Sequence, residues 1–155
     1  MDLIKDDKEF INMAIDLSRK ADYPYGSIIV RNGKIIGRSD STPPVSKSAF
    51  SHAELRAIED AIKQLGGHLC AEGGKDCTIY SSCEPCLMCM GAIIYAGIGR
   101  LVYAATLEDS AFGVNEILVS SKEIAKFCKN RKLEIVAELE RENAIQVMEN
   151  WRKDR

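Results

Sequence analysis

The stretch Cys77-Thr78-Ile79-Tyr80-Ser81-Ser82-Cys83-Glu84-Pro85-Cys86-Leu87-Met88-Cys89 runs from a predicted strand into a predicted helix. Residues 77–81 read as the strand, and Pro85 suits the first position of the helix, where its missing N–H costs nothing. The same order recurs downstream. Leu101 to Ala105 is predicted as a strand, Glu116 to Lys129 as a helix, Leu133 to Leu139 as a strand and Glu142 to Lys153 as a last helix. A helical crossover returns the chain in its original direction, so these later strands are predicted to lie parallel.

Upstream the pattern changes. Phe10, Ile11, Met13, Ala14 and Leu17 recur at helical spacing behind Asp6 and Glu9, predicting an amphipathic helix over 6–20. Residues 25–31 and 34–38 flank Asn32-Gly33, a hairpin signal because both turn residues must accept positive φ. A serine-rich loop over 39–50, with Pro43-Pro44, leads to His52. From His52 to Leu65 the residues Leu55, Ile58, Ile62 and Leu65 share a helix face, and Gly66-Gly67 ends it. The predicted fold is α/β: a three-layer α/β/α sandwich around a mixed five-stranded sheet, with an N-terminal hairpin followed by parallel strands.

The 155 residues fit one domain over 1–155, long enough to bury a core without disulfide staples. A hydrophobic fraction of 46% and a charged fraction of 28% are those of a soluble globular protein. The net charge of −2 argues against broad binding to nucleic-acid backbones, which needs a basic face. The acidic, mixed opening Met1-Asp2-Leu3-Ile4-Lys5-Asp6-Asp7 is no signal peptide, and no apolar run is long enough to span a membrane. Six cysteines in such a chain read as reduced thiols or metal ligands, and a cytoplasmic location is expected.

His52, Cys86 and Cys89 are three good zinc ligands, and three protein ligands plus water is the catalytic count. One Zn²⁺ per chain is expected, with water or hydroxide as fourth ligand. Residues three apart share a helix face, so Cys86 and Cys89 aim the same way, and a helix N-terminus favours the thiolate. Glu54, two residues after His52, is placed to accept a proton from that water and return it to substrate. Blander readings compete: Ser51-His52-Ala53-Glu54 matches a capping box, Cys-x-x-Cys a redox pair, and Cys83 extends the run toward an iron–sulfur pattern. Cys83, Cys70, Cys77 and Cys128 are expected to be small packing or partly exposed residues, Met88 and Met90 core packing, and His68 a loop residue.

The combination of His-x-Glu with Pro-Cys-x-x-Cys, and the segment Ser82 to Ile93, resembles the cytidine deaminase superfamily over nearly the whole chain. It is most similar to the branch containing bacterial guanine deaminase, fungal-type cytosine deaminase and tRNA adenosine deaminase. Tyr103-Ala104-Ala105 and the late Trp151-Arg152 look most like guanine deaminase. The resemblance implies a zinc-dependent hydrolase that deaminates a small amino-substituted heterocycle, with zinc hydroxide as attacking group and Glu54 as proton shuttle. It implies Tyr25, Ala53, Cys86, Trp151 and a loop carboxylate, Asp109 or Glu116, at the base, and a homodimer, sometimes with an exchanged C-terminal segment. Ser41 falls where the family carries a base-binding asparagine, and a serine offers one hydroxyl where an amide offers a donor and an acceptor. Guanine is the first expected substrate; cytosine, a modified purine, a pterin or a triazine are others. Two rivals are tRNA adenosine deamination, for which Arg131, Lys132, Arg152, Lys153 and Arg155 would supply cations, and a non-catalytic zinc-stabilised interaction module.

Overall fold

The computed structural model describes residues 6–41, 49–67, 69, 74–111 and 117–155. Asn32 and Gly33 both adopt left-handed φ, 51° and 72°, the twist that closes a two-residue hairpin between β1 (Ser27–Arg31) and β2 (Lys34–Arg38). The other edge of β1 pairs antiparallel with β3 (Cys77–Cys83). Two helical crossovers then bring β4 (Arg100–Ala105) and β5 (Glu134–Val136) in parallel, in the order β2-β1-β3-β4-β5.

Side chains alternate across the strands and divide the core in two. Ile28, Val30, Tyr80, Val102 and Val136 pack against α1 (Asp7–Lys20) and α5 (Arg141–Lys153). Ile29, Ile79, Leu101 and Tyr103 face α2 (Ala53–Leu65), α3 (Leu87–Tyr95) and the short α4 (Ser121–Ala125). This is the expected three-layer sandwich. Gly37 lets α2 lie close on β2, because a Cβ there would stand 2.3 Å from the Ala57 carbonyl oxygen. The start of α1 is tied to the far end of the sheet. Buried Asp7 accepts from both Arg100 terminal nitrogens and from the Tyr80 hydroxyl, each at 2.7 Å.

Three elements differ from expectation. The helix predicted over 116–129 shrinks to Ser121–Ala125. Its start is fixed by Ser120, whose hydroxyl accepts from Glu123 N–H at 3.2 Å, while Ile117, Leu118 and Val119 precede the helix. The strand predicted over 133–139 is shortened to 134–136, and Glu138 and Glu140 take left-handed φ before α5. Pro85 does not open a helix; Cys86 is the N-cap and Leu87 the first helical residue. His68, Cys70 and the Pro43-Pro44 loop lie outside the described residues.

Candidate active site

The carboxyl ends of β3 and β4 and the starts of α2 and α3 meet at one end of the sheet. His52 is the N-cap of α2 and Cys86 the N-cap of α3. Both are extended, and neither side chain caps its own helix, so both are free to turn toward each other. Cys89 sits one turn into α3, fully buried. His52 Nδ1 lies 3.6 Å from Cys86 Sγ and 3.5 Å from Cys89 Sγ. A tetrahedral zinc with Zn–N of about 2.05 Å and Zn–S of about 2.3 Å requires N···S edges of about 3.6 Å. The donor atoms all lie within 4.8 Å of one another, and the set fits one zinc ion.

Charge follows from this crowding. The hydrogen bond from Cys89, helped by His52, pulls the Cys86 thiol down to about 4. The same hydrogen bond, together with burial and Glu54, pushes the Cys89 thiol up. His52 is raised chiefly by Cys86. A cation is bound by thiolates, so its binding would release protons from this pair.

Glu54 is buried beside the trio, 7% exposed. Its Oε1 accepts from the Ser81 hydroxyl at 3.0 Å, and its Oε2 lies 3.4 Å from Cys89 Sγ. Burial pushes this carboxyl above the ordinary glutamate range. The capping-box reading fails, since His52, not Ser51, is the N-cap and the Glu54 side chain turns to Ser81 and Cys89. Cys83 does not join the cluster: it ends β3, buried, with its thiol toward the Thr106 carbonyl at 3.6 Å.

The clustered His52, Cys86 and Cys89 beside a buried carboxyl match a zinc-binding sequence pattern. Residues 4–105 match the cytidine and deoxycytidylate deaminase zinc-binding region. The chain belongs to the cytidine and deoxycytidylate deaminase family. This deaminase is 37% identical over 110 residues to the guanine deaminase of Bacillus subtilis (strain 168), spanning 71% of this chain and 68% of that one. It is 32% identical over 130 residues to the tRNA-specific adenosine deaminase of the same strain, spanning 84% and 76%. A solved guanine deaminase from Nitrosomonas europaea superposes with a TM-score of 0.78 and 26% identity, over 94% of this chain and 84% of that one.

The expected base contacts are distributed unevenly. Ala53 is buried at the first position of α2, beside His52, and Tyr25 is half-buried in the loop before β1. Ser41 is exposed and its N–H bonds the Arg38 carbonyl at 3.4 Å. Asp109 is no open acceptor: Arg141 grips both its oxygens, at 2.8 and 2.9 Å, and the N–H and hydroxyl of Thr106 bind one of them, both at 2.9 Å. Those contacts hold its carboxyl down to about 2, with Arg141 the main cause. Glu116 lies outside the described residues. Trp151 is tied to the loop before β1: its indole N–H donates to the Asp22 carbonyl at 2.8 Å, and its ring lies 5.7 Å from that of Tyr23. Sequence reasoning missed Ser81, although the strand period that turns Ile79 toward α2 also turns Ser81 that way.

Proposed function

We propose that this deaminase acts on a free amino-substituted heterocycle, with guanine the first substrate to test. The observation that carries the reading is the buried Glu54 carboxyl, held by Ser81 against the His52–Cys86–Cys89 trio. Zinc held by those three residues supplies a Lewis acid that makes water a nucleophile near neutral pH. The protein supplies the proton path. Glu54 Oε2 takes a proton as the water attacks the amine-bearing ring carbon, and delivers it to the ring nitrogen. Glu54 then takes the proton left on the attacking oxygen and passes it to the amine; the C–N bond breaks as the carbonyl forms, and ammonia leaves. The raised pKa of Glu54 suits a group that must gain and lose a proton near neutrality. Tyr25, Ser41, Ala53 and Trp151 are the proposed base contacts, with the backbone at Cys86. Glu116 takes the acidic-acceptor role by default, because Asp109 is engaged by Arg141. Exposed His52 and half-buried Cys86 leave the site open toward solvent.

The test is ammonia release by the zinc-loaded protein across free bases, nucleosides, pterins and triazines, with Glu54→Gln as control. Turnover of a free base, absent in the control, supports the reading; silence on every small molecule with zinc bound and the fold intact overturns it.

The 32% identity over 130 residues to a tRNA-specific adenosine deaminase favours the second reading, deamination within tRNA. Lys122, Lys126, Lys129, Arg131 and Lys132 line a groove of about 620 Å³, in which Lys126 pairs with Glu123 and Arg131 donates to the Ile94 and Ile98 carbonyls at the end of α3 away from Cys86. Salt-sensitive binding of a tRNA anticodon stem, lost on reversing these charges, would favour it.

A homodimer is part of the proposal. Leu87, Gly91 and Tyr95 run along the outer side of α3, and Phe127 is 81% exposed. α5 packs on α1 and β4, and an exchange of this C-terminal segment between protomers is the alternative form of the proposed dimer. No helix among the described residues is long and apolar enough to cross a membrane. A cytoplasmic location is proposed from the free thiols Cys77, Cys83, Cys86, Cys89 and Cys128.

A further inference from the structure

We propose that Ser39 and Ser82 are positioning residues for substrate binding: their hydroxyls clamp the entry of β1 and thereby place Tyr25 at the mouth of the site. The inference rests on the reading of Tyr25 as a base contact. β1 runs antiparallel to β3, so its start lies at the carboxyl end of β3, where the chain leads through Pro85 to the Cys86 ligand. Ser27, the first residue of β1, stands opposite Ser81, whose hydroxyl donates to Glu54. Tyr25 and Gly26 immediately precede that pair.

Both edges of β1 end in the same way. On the β3 side, the Ser82 N–H donates to the Gly26 carbonyl at 2.9 Å, and the Gly26 N–H donates to the Ser82 hydroxyl at 2.9 Å. On the β2 side, the Ser39 N–H donates to the Ser27 carbonyl at 3.0 Å, and the Ser27 N–H donates to the Ser39 hydroxyl at 3.1 Å. In a regular antiparallel pair the returning N–H goes to a main-chain carbonyl. Here a serine hydroxyl takes it on each side, which satisfies two buried N–H groups while letting both flanking strands turn away from β1. Ser27, Ser39 and Ser82 are at most 3% exposed, so water does not readily replace either hydroxyl. From a third side α1 closes on Gly26, where a Cβ would stand 2.2 Å from the Ala14 carbonyl oxygen. Tyr25 is bonded directly to this confined residue, and its own N–H donates to the Tyr23 carbonyl at 2.7 Å. The two hydroxyls reach Gly26 and Ser27, and they act on substrate through Tyr25.

Two roles are separable. A residue that only stabilises the fold lowers the melting temperature, and zinc and turnover fall together with the folded fraction. A clamp that works through Tyr25 changes KM in folded, zinc-loaded protein, and does so only while the Tyr25 ring is present. For Ser82→Ala, KM for guanine, or for the best heterocycle of the panel, is expected to rise about tenfold with kcat within about threefold. In a Tyr25→Leu background the same substitution should change KM by less than about twofold, because the two residues act as one unit. Ser39→Ala should raise KM about threefold, with the same dependence on Tyr25, and it carries every readout if Ser82→Ala does not fold. The ring resonances of isotope-labelled tyrosines in zinc-loaded, substrate-free protein supply a readout that needs no turnover. Those of Tyr25 should move in Ser82→Ala, while those of Tyr103, in the other core layer, should stay. Equal KM effects with and without the Tyr25 ring overturn the proposal, as do an unchanged KM and a loss of zinc in proportion to kcat. Unmoved Tyr25 resonances overturn it whatever the substrate proves to be. A wild type that turns over no compound of the panel contradicts the reading of the site instead, and the Tyr25 resonances then decide the clamp by themselves.

Discussion

Replacing Ser81 by alanine removes one oxygen, 3.0 Å from Glu54 Oε1, and leaves the rest of the site in place. Ser81 is 2% exposed, so water does not readily take over the lost bond. A hydrogen bond to a charged acceptor contributes about 1.5–3 kcal/mol. If that bond is needed to aim Oε2 at the reacting atoms, kcat/KM falls about ten- to hundredfold, at one decade per ~1.36 kcal/mol. The pH dependence moves as well. Ser81 holds the Glu54 carboxyl down against the burial that pushes it up, so its removal raises Glu54 further. The acidic limb of kcat/KM, where Glu54 must be ionised to accept a proton, then shifts to higher pH. Initial rates of ammonia release between roughly pH 5 and pH 9, with zinc content measured on the same samples, read both effects. Superimposable profiles for wild type and Ser81→Ala, both zinc-loaded, would refute the assigned role. A rate loss matched by zinc loss would show that Ser81 supports the metal instead.

Other outcomes follow from the same contacts. Substituting His52, Cys86 or Cys89 by alanine should abolish stoichiometric zinc binding, and chelation of the wild type should abolish turnover that added zinc restores; metal analysis beside ammonia release checks both. Asp7→Asn breaks a pair in which Asp7 is 1% and Arg100 11% exposed, and denaturant unfolding should show a loss of about 3–5 kcal/mol with zinc stoichiometry unchanged. Asp109, held at about 2 in the fold against an ordinary 3.8, contributes stability that is complete above about pH 3.8 and lost as pH falls through about 2. Melting curves should therefore show Asp109→Asn less stable than wild type near pH 5, with the gap closing toward pH 2; a gap that widens on acidification would contradict the sign.

What the sequence made legible is what short-range rules govern. Asn32-Gly33 dictates a hairpin through local φ alone, and the later alternation of strand and helix forces parallel crossovers. The ligand set was legible for a similar reason: two cysteines one turn apart at a helix start have little choice of direction, and the His-x-Glu pattern opens the next converging helix. Contacts between distant residues were not legible. Asp109 reads as a free loop acid until Arg141, 32 positions on, closes on it. The apolar run Ile117-Leu118-Val119 extends a helical pattern backwards, yet the helix begins only where Ser120 caps it and Glu84 takes the Ser121 N–H. Trp151 reads as a pocket residue or a packing residue with equal ease; the Asp22 carbonyl that accepts its N–H lies 129 positions away.

The central claim is that Glu54 moves the proton while His52, Cys86 and Cys89 hold the metal. It is tested most directly by comparing ammonia release from guanine, or from the best heterocycle in the panel, by zinc-loaded wild type and Glu54→Gln. The account predicts one zinc per chain and an unchanged melting transition in both, with turnover lower by at least about 10²-fold in the variant. Wild-type turnover by the zinc-loaded variant would contradict it.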